Sequence, residues 1–145
     1  MFEIRKASSE DIVAVRDFQK QLHGDWYESS HGDLEAGVST GRVWVATEAG
    51  NVIGYQLCEL FGSSHKNFPD SIFLSELFVA PDHRKKGVGS LLIEAALNED
   101  WPKEYVYFSL THDPAEPHLT NYYERFGFKE CGKTAAGNIK MIRQR

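Results

Sequence analysis

The sequence has no long hydrophobic run, and each of its apolar stretches is only a few residues long. A helix that spans a membrane needs about 20 consecutive apolar residues. The N-terminal segment MFEIRK alternates apolar and charged side chains and lacks the apolar core of a signal peptide. We therefore expect no membrane partner and a cytoplasmic location.

Cysteine is scarce, since the chain contains only Cys58 and Cys131. Both fall in predicted strands, where a free thiol is usually buried. A disulfide would be unusual in a reducing compartment, and the spacing of the two residues is not that of metal ligands. We therefore expect two buried thiols and no metal site.

Basic residues are also few, with 16 Lys and Arg against 21 Asp and Glu and a net charge of −5. A nucleic-acid-binding surface needs a basic face, so we expect no nucleic-acid partner. An acidic protein attracts cations, which favours a small cationic molecule as the substrate.

The composition that remains is typical of one globular domain. The chain has 145 residues, of which 41% are hydrophobic and 26% charged. No repeat, low-complexity tract or linker rich in Pro and Ser divides it. We therefore expect residues 1–145 to form a single domain.

The hydrophobic periodicity predicts a mixed α/β chain. Ser8 and Ser9 offer a helix N-cap, and Ile12, Val15 and Phe18 recur at helical spacing after it. The predicted order is β-α-(α)-β-β-β-α-β-α-β-β. The strands cover residues 2–6, 42–48, 52–61, 71–79, 105–111, 127–131 and 138–142, and the later helices cover about 33–38, 87–98 and 115–126.

The most informative segment lies between the strand at 71–79 and the next helix. Its sequence is LFVAPDHRKKGVGS, from Leu77 to Ser90. A proline breaks the strand, three basic residues follow, and two glycines open the helix. The N–H groups of a first helical turn lack intrahelical partners, and with the helix dipole they bind anions such as a pyrophosphate. The segment matches neither a Walker loop nor G-x-G-x-x-G, so we predict a different kind of phosphate site.

Two motifs give the sequence a family resemblance. Leu74-x-x-Leu77-x-Val79-x-Pro81-x-x-Arg84-x-x-Gly87-x-Gly89 resembles the acetyl-CoA signature of the GNAT superfamily of N-acetyltransferases. A second segment of that superfamily is similar to Tyr122-Tyr123-Glu124-Arg125-Phe126-Gly127-Phe128. The usual N-terminal opening of the superfamily is similar to Ile4-Arg5-Lys6-Ala7 followed by Asp11. The resemblance spans nearly the whole chain.

The resemblance implies a fold and a cosubstrate. The fold is a mixed, mostly antiparallel sheet of six to seven strands, with helices on both faces and splayed central strands at 71–79 and 105–111. Acetyl-CoA would lie between those strands, without a metal. The residues implied to hold it are the pantetheine-pairing Leu77, Phe78 and Val79, the pyrophosphate-binding Arg84, Lys85, Lys86, Gly87, Val88, Gly89 and Ser90, and Asn121.

The sequence departs from this pattern in two places. Many relatives have glycine directly after the signature arginine, where this chain has Lys85. Many also carry an asparagine at the start of the penultimate helix, where this chain has Glu116-Pro117-His118 and an offset Asn121. That second cofactor contact is therefore not expected in its usual form.

Three residues are candidates for the chemistry. Acetylation of an amine needs a base, because an alkyl ammonium has a pKa near ~10.4. Glu76 is the leading base, since alternation places it on a buried face; the alternative is a structural carboxylate that orients a water or an arginine. Tyr123 matches by position the superfamily's tyrosine that serves as the acid for the leaving thiolate. The alternative is a tyrosine that only packs beside Phe126 and Phe128. His112, after the fifth strand, is an alternative base.

The loop after the first helix is the candidate acceptor site. Trp26, Tyr27 and Glu28 would form an aromatic and acidic wall for a cation, although a plain surface loop is nearly as well supported. Asp33, Glu59 and Phe61 could join this wall. The remaining histidines are expected to be solvated: His23, His31, His65, His83 and His118.

These observations predict an acetyl-CoA-dependent N-acetyltransferase that transfers the acetyl group directly to a primary amine, with a small cationic molecule favoured as the acceptor. Three alternatives stay open: acetylation of a protein lysine or N-terminus, a silent CoA-binding regulatory module, and a nucleotide-binding protein. The superfamily often forms dimers, and the C-terminal strands could pair across subunits in a homodimer.

Overall fold

The computed structural model describes all residues, 1–145, and has a mixed α/β fold. Seven strands form one sheet in the order β1-β2-β3-β4-β5-β7-β6. The strands are β1 Glu3–Lys6, β2 Val43–Glu48, β3 Asn51–Phe61, β4 Ser71–Val79, β5 Tyr107–His112, β6 Lys129–Lys133 and β7 Ile139–Gln144. The helices are α1 Ile12–His23, α2 Tyr27–Ser30, α3 Leu34–Ser39, α4 Val88–Leu97 and α5 His118–Glu124.

The chain divides into two compact units. The first contains Met1–Glu59 and Ser75–Glu99, and the second contains Leu60–Leu74 and Asp100–Arg145. The boundary crosses β4. Within the second unit, β4 pairs with β5 in parallel only from Ser71↔Tyr107 to Phe73↔Ser109.

In the first unit, both faces of β2 are covered. Val43 and Val45 belong to a buried cluster with Val15 of α1 and Leu34 of α3. Trp44 and Ala46 point to the other face because side chains alternate along a strand, and α4 packs against β1 and β2. This double cover explains why β2 is buried almost throughout and reads as a continuous apolar run.

The start of α1 is fixed by a partly buried ion pair, in which the carboxylate is buried and the arginine is exposed. The Asp11 carboxylate accepts hydrogen bonds from two guanidinium nitrogens of Arg5, at 2.7 and 3.0 Å, and from the Ser8 backbone N–H at 2.8 Å. The hydrogen bonds from Arg5 lower the pKa of Asp11 against the opposing effect of burial. Asp11 therefore links β1 to the first helix.

In the second unit, β5 and β6 both pair antiparallel with β7. Its core includes Phe108 and Leu110 of β5 together with Phe128 and Met141. The rings of Phe61 and His65 stack with centroids 3.7 Å apart. The last strand in the order, β6, is exposed along its whole length.

The predicted sheet, with its seven strands and surrounding helices, is confirmed. Several bounds differ, since α5 covers only His118–Glu124 and the last two strands begin one or two residues later than predicted. The expected burial of both thiols is wrong for Cys131, which is exposed because β6 lies at the sheet edge. None of the helices is both long and apolar enough to span a membrane.

Replacing Asp11 with Asn should lower the free energy of unfolding by about 1.5–3 kcal/mol, because it removes charged hydrogen bonds at a buried position. A urea titration measures this, with Glu10→Gln as the exposed neighbouring control. Because the folded-state pKa of Asp11 is lowered, its contribution is present above the unfolded-state pKa of about 3.9 and is lost as pH falls through the folded value. Equal midpoints for the two variants would contradict this role.

Candidate active site

The turn between β4 and α4 carries the predicted phosphate site. After β4, a short 3₁₀ helix at Pro81–His83 leads into an exposed basic segment. Two residues there have left-handed backbones, Lys85 with φ 63° and Gly87 with φ 85°. Since α4 begins at Val88, the amides of Val88 and Gly89 open its first turn, where helix geometry supplies no acceptor four residues earlier, and they lie at the positive end of the helix dipole.

Arg84 is held at the start of this turn. Its Nε donates to the Val79 carbonyl at 2.8 Å, and its guanidinium lies 5.1 Å from the centroid of the Phe78 ring. These contacts orient the guanidinium of a residue that is otherwise exposed. The turn therefore combines a fixed cation with helix-start amides, which suits a diphosphate.

The departure at Lys85 has a structural counterpart. In relatives, the residue after the signature arginine is often glycine, which adopts a left-handed backbone without strain. Lys85 adopts that backbone despite its Cβ, at a cost of roughly 1–2 kcal/mol. The turn geometry is thus kept although the preferred residue is absent.

Gly87→Ala should lower the free energy of unfolding by about 1–2 kcal/mol. A Cβ at Gly87 meets no atom within 4 Å, so the cost arises from the left-handed backbone alone. Thermal or urea unfolding measures it. Gly62→Ala is the matched control, because a Cβ there also meets nothing within 4 Å and its backbone is not left-handed. Gly87→Ala as stable as this control would contradict the strain argument.

Glu76 of β4 is the centre of a buried polar cluster in the first unit. Glu76 is only 2% exposed. Oε1 accepts from Gln19 Nε2 at 3.0 Å and from the Tyr55 hydroxyl at 2.9 Å. Oε2 lies 2.7 Å from His23 Nε2 and accepts from the Gly32 N–H at 2.7 Å. Burial of Tyr55, followed by the charge of Glu76, raises the pKa of its phenol.

These contacts bear on the role of Glu76. An ionised carboxylate offers about four acceptor sites for hydrogen bonds. The four neighbours of Glu76 fill all of these sites. A general base needs an acceptor site within reach of the proton that it removes. The geometry therefore favours the second of the two expected roles, an orienting carboxylate, with a histidine in place of the expected water or arginine.

The candidate acceptor loop lies in the same unit. Trp26 is 72% exposed and Glu28 is exposed. The Tyr27 ring is already covered, because His31 stacks on it at 4.5 Å and the Lys20 ammonium lies 5.7 Å from its centroid. Of the two aromatic residues, Trp26 is therefore the one with a free face for a cation.

Of the three residues expected to join this loop, Glu59 comes near it. A Cβ built on Gly32 would lie 3.0 Å from Glu59 Oε1 and 3.4 Å from Glu76 Oε2. Glu59 Oε1 accepts from the Ser75 hydroxyl at 3.0 Å. Asp33 instead caps α3, accepting from the Ala36 N–H at 3.0 Å, and Phe61 stacks within the second unit.

Tyr123 lies on α5 in the second unit, within an aromatic cluster. Its ring centroid is 5.3 Å from that of Tyr122 and 6.1 Å from that of Phe128. Burial, with a smaller effect of Tyr122, raises the pKa of the Tyr123 phenol to about 12. The phenol is therefore protonated at neutral pH and able to donate a hydrogen bond. Asn121, on the same helix, is exposed.

His112 ends β5 and is buried rather than a surface residue. Its Nδ1 lies 3.1 Å from the Asp113 carbonyl oxygen and its Nε2 lies 2.9 Å from Thr120 Oγ1. A carbonyl only accepts, so Nδ1 carries the proton and Nε2 accepts from the Thr120 hydroxyl. This arrangement leaves His112 no lone pair for an amine and disfavours it as the base.

The structure groups the predicted residues by unit. The first unit contains Glu76, the loop with Trp26, Tyr27 and Glu28, and the Arg84–Ser90 turn, while the second contains His112, Asn121 and Tyr123. The expectation that His23 is solvated is wrong, because its side chain is 16% exposed and pairs with Glu76. The sequence signal for a buried His23 was Gln19, a polar residue four positions after Val15 and four before His23, which places all three on one helix face.

No group of three or more His, Cys, Asp or Glu side chains is arranged to hold a metal ion. Burial raises the pKa of both the Cys58 and the Cys131 thiol, which disfavours a thiolate at either position. Neither cysteine is therefore a good candidate for a covalent acyl carrier.

Comparison with known proteins agrees with the fold and the motifs. The family model described as acetyltransferase (GNAT) domain matches residues 39–130. The chain therefore belongs to the GNAT acetyltransferase family. A search of curated protein sequences finds no significant match.

Solved structures extend the similarity to the whole chain. The PaiA N-acetyltransferase of Thermoplasma acidophilum, in complex with coenzyme A, is 17% identical with a TM-score of 0.78, over 100% of this chain and 99% of that one. The ribosomal-protein-S18-alanine N-acetyltransferase of Escherichia coli is 19% identical with a TM-score of 0.71, over 99% and 94%. At these identities the similarity establishes the fold, and the two names differ in what they say of the acceptor.

Proposed function

We propose that this acetyltransferase uses acetyl-CoA to acetylate a primary amine of a small cationic molecule by direct transfer. The observation that carries the proposal is the turn from Arg84 to Ser90, with its two left-handed residues, its fixed arginine and its helix-start amides. A related structure that contains coenzyme A supports the same cosubstrate.

The Arg84–Ser90 turn fits the diphosphate of coenzyme A. Its backbone amides and three basic side chains supply the donors and charge that a diphosphate requires. The backbone of Leu77, Phe78 and Val79 is the proposed partner of the pantetheine arm. When bound, acetyl-CoA supplies an activated acetyl group, so the chain's own residues have to place the amine and handle its protons.

Tyr123 is proposed to assist the departure of the CoA sulfur. A thiol has a pKa near 8.5, whereas that of Tyr123 is raised to about 12. Full proton transfer from the phenol to a thiolate is therefore unfavourable, and a hydrogen bond to the developing thiolate is the better description. The proton that finally reaches sulfur then comes from solvent or from the amine.

The acceptor is proposed to be cationic because its candidate site includes two carboxylates, Glu28 on the loop and Glu59 beside Gly32. Glu59 is half-buried and has acceptor capacity beyond its bond from Ser75. Together with Glu28 and the exposed Trp26 of the acceptor loop, Glu59 is proposed to hold an ammonium group. The net charge of −5 favours the approach of such a substrate.

A thiol-release assay with acetyl-CoA and a panel of amines tests the activity. Tyr123→Phe should lower kcat on the order of 100-fold by removing one donor to developing charge, with coenzyme A affinity in calorimetry unchanged. Because the pKa of Tyr123 is about 12, its ionisation should cause no fall in wild-type kcat between pH 7 and 10.

Tyr122→Phe is the matched control, since it keeps the ring and removes the neighbouring hydroxyl. It should retain most of the activity. A Tyr123→Phe variant as active as Tyr122→Phe would remove the proposed donor. Binding of ATP but not of coenzyme A would contradict the proposed cosubstrate.

Glu59→Gln should raise the KM for a cationic amine by about 2- to 5-fold, the size expected for a partly exposed ion pair. Steady-state kinetics at low and high salt measure this, and the difference should shrink at high salt. Glu104→Gln, an exposed site in the second unit, is the control for lost surface charge. An unchanged KM in Glu59→Gln would exclude this carboxylate from the acceptor site.

A further inference from the structure

We infer that His23 is the general base of the proposed transfer and that Glu76 is the residue that positions it. The inference rests on the proposed function. The observation that carries it is the 2.7 Å contact between His23 Nε2 and Glu76 Oε2, together with the occupied acceptor sites of that carboxylate.

The pair is rigidly built. His23 is the last residue of α1, and Gln19, one turn earlier, donates to the other oxygen of Glu76. Phe78, which follows Glu76 by two residues on β4, packs its ring against Phe18 of α1, with centroids 5.4 Å apart. The last turn of the helix is therefore held against the strand beside the pair, and the imidazole has little freedom to turn.

The hydrogen bonds determine which nitrogen of His23 is available. The Glu76 carboxylate accepts from Gln19, Tyr55 and Gly32 and needs a fourth donor at Oε2. Nε2 is the His23 nitrogen at that position, so Nε2 carries the proton. Nδ1 then has the free lone pair, and it forms no hydrogen bond within the protein.

This is the arrangement of an oriented base, in which a carboxylate holds one ring nitrogen and the other accepts a proton. The ammonium of the acceptor gives one proton to Nδ1, which passes it to solvent. The amine lone pair then forms the N–C bond to the acetyl carbon while the C–S bond breaks and its electron pair leaves on sulfur. The second proton of the nitrogen is lost as the amide forms and balances the thiolate, giving free CoA thiol.

The site's place in the chain suits this role. Leu77, the first residue proposed to pair with the pantetheine arm, directly follows Glu76. The other ionisable groups around the pair are Tyr55 and Glu59 on β3, Lys20 on α1 and His31 before Gly32. His31 donates from Nδ1 to the Gly32 carbonyl at 3.0 Å and also keeps a lone pair, on Nε2. His23 differs because a buried carboxylate, rather than a neutral carbonyl, holds its other nitrogen.

The kinetic test compares wild type with His23→Ala and Glu76→Gln. We expect His23→Ala to lower kcat/KM for the amine by about 100-fold or more at pH 7, to keep coenzyme A affinity within about twofold, and to lose the acidic limb of the pH profile. Added imidazole should restore part of the rate. Glu76→Gln should lower kcat/KM by loosening the orientation of the imidazole, and it should keep an acidic limb because the imidazole remains.

Glu48→Gln is the matched control, since it removes the carboxylate that lies 3.4 Å from His83 Nε2, in another pair of the same unit. It should leave the profile unchanged. If the wild type is active and His23→Ala is equally active, the role of His23 is overturned while the proposed function stands. Wild type inactive with every amine of the panel would overturn the proposed function and, with it, the base.

A second measurement does not depend on activity or on a variant that folds well. Nitrogen-15 NMR of the imidazole in the wild-type chain should show the His23 tautomer protonated at Nε2, with exchange of that proton slowed by its bond to Glu76. A neutral His23 protonated at Nδ1 would overturn the inference, because the lone pair would then point at Glu76 rather than at the acceptor.

Discussion

The structure of the first unit depends on the cost of burying a carboxylate. An ionised side chain removed from water is strongly destabilising unless donors surround it. Glu76 meets this condition with four neighbours from three segments: Gln19 and His23 of α1, Tyr55 of β3, and the Gly32 N–H after α2. Each donor fixes a piece of the chain. One buried charge thus determines where the helix, the strand and the acceptor loop meet.

The same constraint orients the chemistry. At Gly32 the loop lies close to the sheet, because a Cβ there would lie 2.5 Å from Leu57 Cδ2. A larger residue at this position would force the Leu57 side chain to move while the loop N–H stays bonded to Glu76. Polar groups that are fully paired lose rotational freedom, so the imidazole of His23 is presented in one orientation. A residue needed for stability and a residue available for proton transfer are neighbours for this physical reason.

Local features of the site could be predicted from the sequence, and distant ones could not. The phosphate turn is contiguous, so a strand, a proline, basic residues and glycines within one short segment were sufficient. The partners of Glu76 lie 57, 53 and 44 residues away along the chain, and periodicity alone does not bring them together. Alternation predicted that Glu76 is buried but left its donors unknown. Cys131 was misjudged because strand patterns do not reveal which strand lies at the edge of a sheet.

Lys85 illustrates how a sequence departure can preserve a geometry. Its left-handed backbone keeps the turn that glycine would form more easily, and it adds a positive charge beside the helix-start amides. Strain of this kind persists where the surrounding structure imposes it, and such positions concentrate at functional sites. The turn is therefore the feature on which the assignment of a coenzyme depends most.

The most direct test of that assignment is a titration of nitrogen-15-labelled protein with coenzyme A, following the backbone amide resonances. The largest shifts should fall on the amides from Lys85 to Gly89, and 3′-dephospho-coenzyme A, which keeps the diphosphate, should produce the same pattern. Shifts concentrated elsewhere, with these amides unmoved at saturation, would contradict a diphosphate site at this turn.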